Sequence, residues 1–143
     1  MKAPELLGDE VVVVSGVGSG LGRTLALRCA ESGADVVLAA RTSAYLDEVA
    51  KAVESTGSRA LAVPTDITDP AAAEALAAAA LGSFGRLHAE AHVVHPGLAQ
   101  SGVRRLREQH TEETADAVIF LASHLARVVT GRCLDVDCGE YRH

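Results

Sequence analysis

Aromatic residues are nearly absent from this sequence. There is no tryptophan, and two tyrosines (Tyr45 and Tyr141) with two phenylalanines make up 3% of it. Lysine is as scarce, occurring only as Lys2 and Lys51. Chemistry that needs a tyrosine or lysine side chain therefore has few candidates. A cationic excess is lacking too: 13 Lys and Arg against 19 Asp and Glu leave a formal charge of −6. That argues against the basic face of a nucleic-acid binder. No apolar run approaches the ~20 residues of a membrane-spanning helix, and the opening MKAPELLGDE lacks the apolar stretch of a secretory leader. Cys29, Cys133 and Cys138 form no CxxC pair and cannot all pair with one another. A reduced, cytoplasmic protein is the expectation. Within these bounds, 143 residues of which 48% are hydrophobic fit one domain with a real core.

What is present is a regular alternation of strand and helix signals. Val11 to Val14 is a β-branched run of the kind buried on both faces of a parallel sheet. It enters a glycine-rich turn, followed by a helical stretch with Leu21, Leu25 and Cys29 on one face, ending at Gly33. Val36–Ala40 reads as a second strand, and Leu46, Val49 and Val53 mark a helix terminated by Gly57. Ala60–Val63 is a third strand. Asp69-Pro70 then supplies an N-cap and a proline at the first helical position of an alanine-rich helix running to about Leu81. Val93-Val94 looks like the end of a further strand. Ala115, Val118, Ile119, Ala122 and Leu125 mark a helical stripe, and Cys133–Val136 a last strand after Gly131. The order predicts an α/β fold, a Rossmann-like doubly wound parallel sheet.

The turn Ser15-Gly16-Val17-Gly18-Ser19-Gly20-Leu21-Gly22 lies between the first strand and the first helix. Glycines there let the backbone approach a pyrophosphate closely, and the helix start offers outward N–H groups with partial positive charge. A merely structural tight turn is the alternative.

This segment resembles the TGxxxGxG fingerprint of the short-chain dehydrogenase/reductase family, with Ser15 in place of the usual threonine. Further matches follow in the family's order. Thr65-Asp66-Ile67 is similar to its segment after the third strand, which implies that Asp66 and Ile67 hold the adenine. His95-Pro96-Gly97 is similar to the Pro-Gly turn after its sixth strand, with Ser101 where a threonine often meets the nicotinamide amide or pyrophosphate. Glu113–Ser123 resembles its penultimate helix, and Thr130–Asp137 its closing TGxxxxVD segment. The resemblance implies cofactor contacts from Ser15, Gly16, Ser19, Gly20, Leu21, Gly22, Arg41, Asp66, Ile67, Pro96, Gly97 and Ser101. It also implies hydride transfer to or from a carbonyl or secondary alcohol.

The second strand ends in Ala40-Arg41 rather than an acidic residue that would bond a ribose 2′-hydroxyl. A guanidinium can hold a 2′-phosphate through charge-assisted hydrogen bonds worth roughly 1.5–3 kcal/mol. NADP(H) is thus favoured over NAD(H), the alternative being a solvated arginine at a helix start.

A seven-stranded sheet of this kind needs roughly 30 residues per strand–helix unit, more than about 200 in all. The shortfall of about a hundred is internal, around positions 89–91, since segments on both sides match the family. Gly85–Ala89 reads like the start of the family's fourth strand and Ala91–Gly97 like the end of its sixth. Fusion of the two predicts a shortened sheet of about five strands, in the order 3-2-1-fused-7, with apolar strand surface exposed where helices are missing. The catalytic Ser and the Tyr-x-x-x-Lys pair belong to the missing stretch, and no catalytic residue is assigned. Tyr45 cannot substitute, because Val49 stands four positions on and Lys51 six, which turns their side chains apart on a helix.

A metal site is not expected. His88 and His92 have i, i+4 spacing but sit in a strand-like stretch, and Cys133, Asp135, Asp137 and Cys138 read as strand and chain end. Three functions stay open: a shortened reductase that binds dinucleotide without turnover, a non-catalytic nucleotide-binding or oligomerisation module, and an active enzyme using other groups.

Overall fold

The computed structural model describes residues 5–92, 111–127 and 129. Strand β1 (Val11–Ser15) runs into helix α1 (Leu21–Glu31), strand β2 (Asp35–Ala40) and helix α2 (Ser43–Glu54). Strand β3 (Ala60–Pro64), helix α3 (Pro70–Phe84) and strand β4 (Ala89–His92) follow, and helix α4 (Thr111–Ala122) leads into a 3-10 turn at His124–Ala126. The four described strands form one parallel sheet in the order β3-β2-β1-β4. This is the shortened Rossmann-like arrangement the alternation predicts.

The valine run explains the centre of the sheet. Successive side chains of a strand face opposite sides, so each half of the run serves a different core. Val12 and Val14, with Val36 and Leu38, pack against Leu25 and Cys29 of α1, Leu46 and Val49 of α2, and Ala115 and Ile119 of α4. Val11 and Val13, with Val37 and Ala39, meet Leu76 and Ala80 of α3. Each fully buried Val or Leu contributes about 1.5–3 kcal/mol of transfer free energy. The helices thus divide with α1, α2 and α4 on one face and α3 on the other.

Helix α3 is built differently. Only Leu76 and Ala80 are buried, and four of its eight alanines are exposed. Alanine has the highest helix propensity, so this segment needs little amphipathicity to be helical. Asp69 caps it by accepting the Ala71 N–H at 3.0 Å, Pro70 follows, and Gly85 closes it at φ +72°. At the amino ends of β2 and β3, the Arg59 guanidinium pairs with Asp35 and lies 4.7 Å from the centroid of the Phe84 ring.

Two expectations are corrected, the start of β4 and the place of Leu125. Strand β4 begins at Ala89, because Gly85 closes α3 and Arg86–His88 bridge the gap to the sheet. As expected of central strands, β1 and β2 have their alternate valines buried on both faces, while β4 presents the charged Glu90 to solvent beside Val13. Leu125 leaves the buried stripe, since α4 ends at Ala122 and the following 3-10 turn leaves Leu125 54% exposed. The expected strand ends at Val93-Val94 and Cys133–Val136 lie outside the described residues.

Candidate functional site

The strands all point the same way, so their carboxyl ends share one edge of the sheet. A crevice at that edge, where successive connections leave in opposite directions, is the usual ligand position of an open α/β sheet. Here the reversal falls at β1, which has β2 on one side and β4 on the other.

Ser15 ends β1 fully buried, opposite Ala39 of β2 and His92 of β4. Gly16 then turns at φ +82°, a left-handed conformation that favours glycine. The N–H groups of Gly16 and Val17 both donate to the Ala39 carbonyl, at 2.9 and 3.2 Å, which ties the loop across the end of β2. Val17 is buried beneath it, whereas Ser19 and Gly20 are exposed.

Helix α1 starts at Leu21 against this loop. A Cβ on Gly22 would lie 2.4 Å from the Gly16 carbonyl oxygen and 2.9 Å from the Val17 Cα, so glycine is what lets helix and loop approach. A Cβ on Gly18 or Gly20 would meet nothing within 4 Å. The N-cap of α1 is Gly20, no side chain caps its first-turn N–H groups, and no acidic residue stands in that turn. α3 satisfies its N-terminus with Asp69, whereas α1 keeps a bare one beside open space. That combination fits an anion.

The neighbouring strand ends carry the other predicted residues. Arg41 follows β2 and is exposed. Beyond β3, buried Thr65 donates its N–H to the Ala40 carbonyl at 2.9 Å and its hydroxyl to the Val63 carbonyl at 2.9 Å. Asp66 Oδ1 accepts from the Thr68 N–H at 3.0 Å and the Thr68 hydroxyl at 2.7 Å. These bonds, with the positive charge of Arg41 in support, hold the Asp66 carboxyl below the usual carboxylate range. Ile67 beside it is 40% exposed. The structure therefore brings Ser15, Gly16, Ser19, Gly20, Leu21, Gly22, Arg41, Asp66 and Ile67 to one edge. Pro96, Gly97 and Ser101 lie outside the described residues.

Two further residues take on roles that the fold reveals. Thr68 orients Asp66, and its signal is the Asp-x-Thr spacing of an Asx turn. His88 locks β4 to β1: its N–H donates to the Val11 carbonyl and its Nδ1 accepts the Val11 N–H, both at 3.0 Å. With Nδ1 so engaged, His88 is a structural residue, and among the described residues no cluster of three His, Cys, Asp or Glu is placed to hold a metal. Tyr45 and Lys51 both lie on α2, Tyr45 half-buried against the core and Lys51 exposed. A concavity at the opposite, amino-end edge is lined by Glu5, Asp9, Arg28, Glu31 and Asp35. Its carboxylates suit a phosphate poorly.

A sequence model described as short chain dehydrogenase matches residues 10–128. The chain belongs to this family. An uncharacterized oxidoreductase of Mycobacterium tuberculosis is 39% identical over 114 residues, which covers 80% of this chain and 42% of that protein. A short chain dehydrogenase from Mycobacterium smegmatis superposes with a TM-score of 0.63 at 26% identity, covering 84% of this chain and 56% of that one. A short-chain dehydrogenase/reductase of unknown function from Caenorhabditis elegans, solved with cofactor, gives a TM-score of 0.56 at 26% identity over 61% of this chain and 33% of its own. The chain thus spans about two fifths of the M. tuberculosis relative's length. Among the described residues, no helix is long and apolar enough to cross a membrane.

Proposed function

We propose that this chain binds a nicotinamide dinucleotide at the carboxyl edge of its sheet, NADP(H) ahead of NAD(H), and that on its own it does not turn over a carbonyl or secondary alcohol. The observation that carries the reading is the bare N-terminus of α1 behind an open glycine loop. In this reading the first-turn N–H groups of α1 hold the pyrophosphate, and Ser15, Gly16, Ser19 and Gly20 shape its bed. Arg41 binds the 2′-phosphate, and Asp66 and Ile67 flank the adenine. By resemblance, Pro96, Gly97 and Ser101 serve the nicotinamide end.

A bound nicotinamide supplies the hydride. The protein must supply the proton to or from the substrate oxygen, and here the sequence is poor. Tyr45 is followed four residues on by Val49 rather than by a lysine. An unassisted tyrosine, with an ordinary pKa near 10, is about three units from neutrality, a deficit of roughly 4 kcal/mol in proton-transfer readiness.

Titration calorimetry with NADPH and NADH, paired with a carbonyl-reduction assay, tests both halves. Binding tighter for NADPH with no turnover is expected. No binding of either nucleotide overturns the site, and NADPH-dependent turnover abolished by Gly20→Val overturns the claim of inactivity.

A further inference from the structure

Two opposite charges follow neighbouring strand ends at the edge of the proposed nucleotide site. Arg41 directly follows Ala40, the last residue of β2, and Asp66 stands two residues beyond Pro64, the last residue of β3. Ala40 and Pro64 are partners in the parallel register, and the Thr65 N–H bonded to the Ala40 carbonyl extends that pairing past the strand ends. The register therefore delivers both residues to the same edge with an offset of one residue. Asp66 is also fixed there, because Thr68 grips its Oδ1 with two hydrogen bonds. Those bonds, and behind them the charge of Arg41, favour the ionised carboxyl, so Asp66 is an anion at neutral pH.

We propose that Asp66 is a specificity-determining residue whose carboxylate restrains the preference for a 2′-phosphorylated dinucleotide that Arg41 creates. The inference rests on the proposed reading of the site. A 2′-phosphate carries up to two negative charges, and a cation poised to receive it also sits in the field of Asp66. The carboxylate partly neutralises Arg41 and repels the phosphate directly. NADH has no such phosphate and experiences neither effect. Any contact of Asp66 with the adenine is common to both nucleotides and cancels in their ratio.

Asp66→Asn isolates the charge, because the amide oxygen can still accept the two Thr68 bonds. The test measures Kd for NADPH and NADH on the full chain, on D66N and on Arg41→Gln, each checked for a cooperative melt. D66N is expected to raise the NADPH preference roughly two- to fivefold at low salt, an effect that shrinks as salt screens it. R41Q is expected to lower that preference. An unchanged ratio in D66N, with R41Q still lowering it, overturns the role of Asp66 while leaving the site intact. A ratio that R41Q does not move, or no binding at all, overturns the underlying reading and this inference with it. If D66N does not fold, Asp66→Ser keeps a hydroxyl acceptor for Thr68, and the same ratio decides.

Discussion

At Gly22 one added carbon would lie 2.4 Å from a carbonyl oxygen, while at Gly20 the same carbon would enter open space. The two glycines of one loop should therefore fail in different ways. Gly22→Ala is expected to destabilise the fold by about 1–3 kcal/mol, as overpacking does, seen as a lower denaturant midpoint without nucleotide. Gly20→Ala should leave that midpoint nearly unchanged and weaken nucleotide binding, because its methyl takes up space at the bare helix end. Equal losses of stability in both variants would contradict this division of roles. Cys29 gives a second residue-scale prediction. Burial pushes its thiol up to about 12 from an ordinary 9.0. The unfolded thiol ionises first, so this contribution is whole below pH 9 and is lost as pH rises towards 12. Urea unfolding between these limits should show a shallower loss of stability for Cys29→Ala than for the parent. Identical slopes would mean that the thiol is not buried as described.

Among the elements, the helices depend on different interactions. Asp69→Ala removes the cap from α3 and should cost about 0.5–2 kcal/mol, measured by chemical denaturation. Arg28 ties α1 to α4 through two bonds to Asp116, at 3.0 and 2.5 Å, but the pair is solvent-exposed. Arg28→Gln should therefore cost no more than about 1 kcal/mol. Leu25→Ala in the same helix should cost about 2–5 kcal/mol, because it opens a cavity where α1 meets the sheet. A larger loss from Arg28→Gln than from Leu25→Ala would reverse the account of what holds α1. These elements were legible in the sequence because their signals are local: a β-branched run, Asp-Pro at a helix start, glycine at a helix end. The start of β4 was not, because it depends on His88 meeting Val11, a contact across 77 residues that no periodicity announces. Leu125 fits the helical stripe by spacing, yet the chain turns into a 3-10 helix first.

For the whole molecule, the glycine loop, Arg41 and Asp66 could be found from their order along the chain. Their shared edge follows from parallel pairing, which the alternation of strand and helix implies. The electrostatic relation of Arg41 to Asp66 was not legible, since it needs the register of β2 on β3 and the grip of Thr68. The double burial of the central strands was legible in the β-branched run Val11–Val14, whereas the cover that Leu76 and Ala80 of α3 give the second face was not. The central claim is that this short sheet still holds a dinucleotide, and ligand-dependent melting tests it most directly. A nucleotide at a hundred times its Kd stabilises the native state by about 2.7 kcal/mol, or roughly 5–10 °C for a protein of this size. The account predicts one cooperative transition, moved upward by both nucleotides and further by NADPH at equal concentration. A transition that neither nucleotide moves at millimolar concentration, or no cooperative transition, would contradict it.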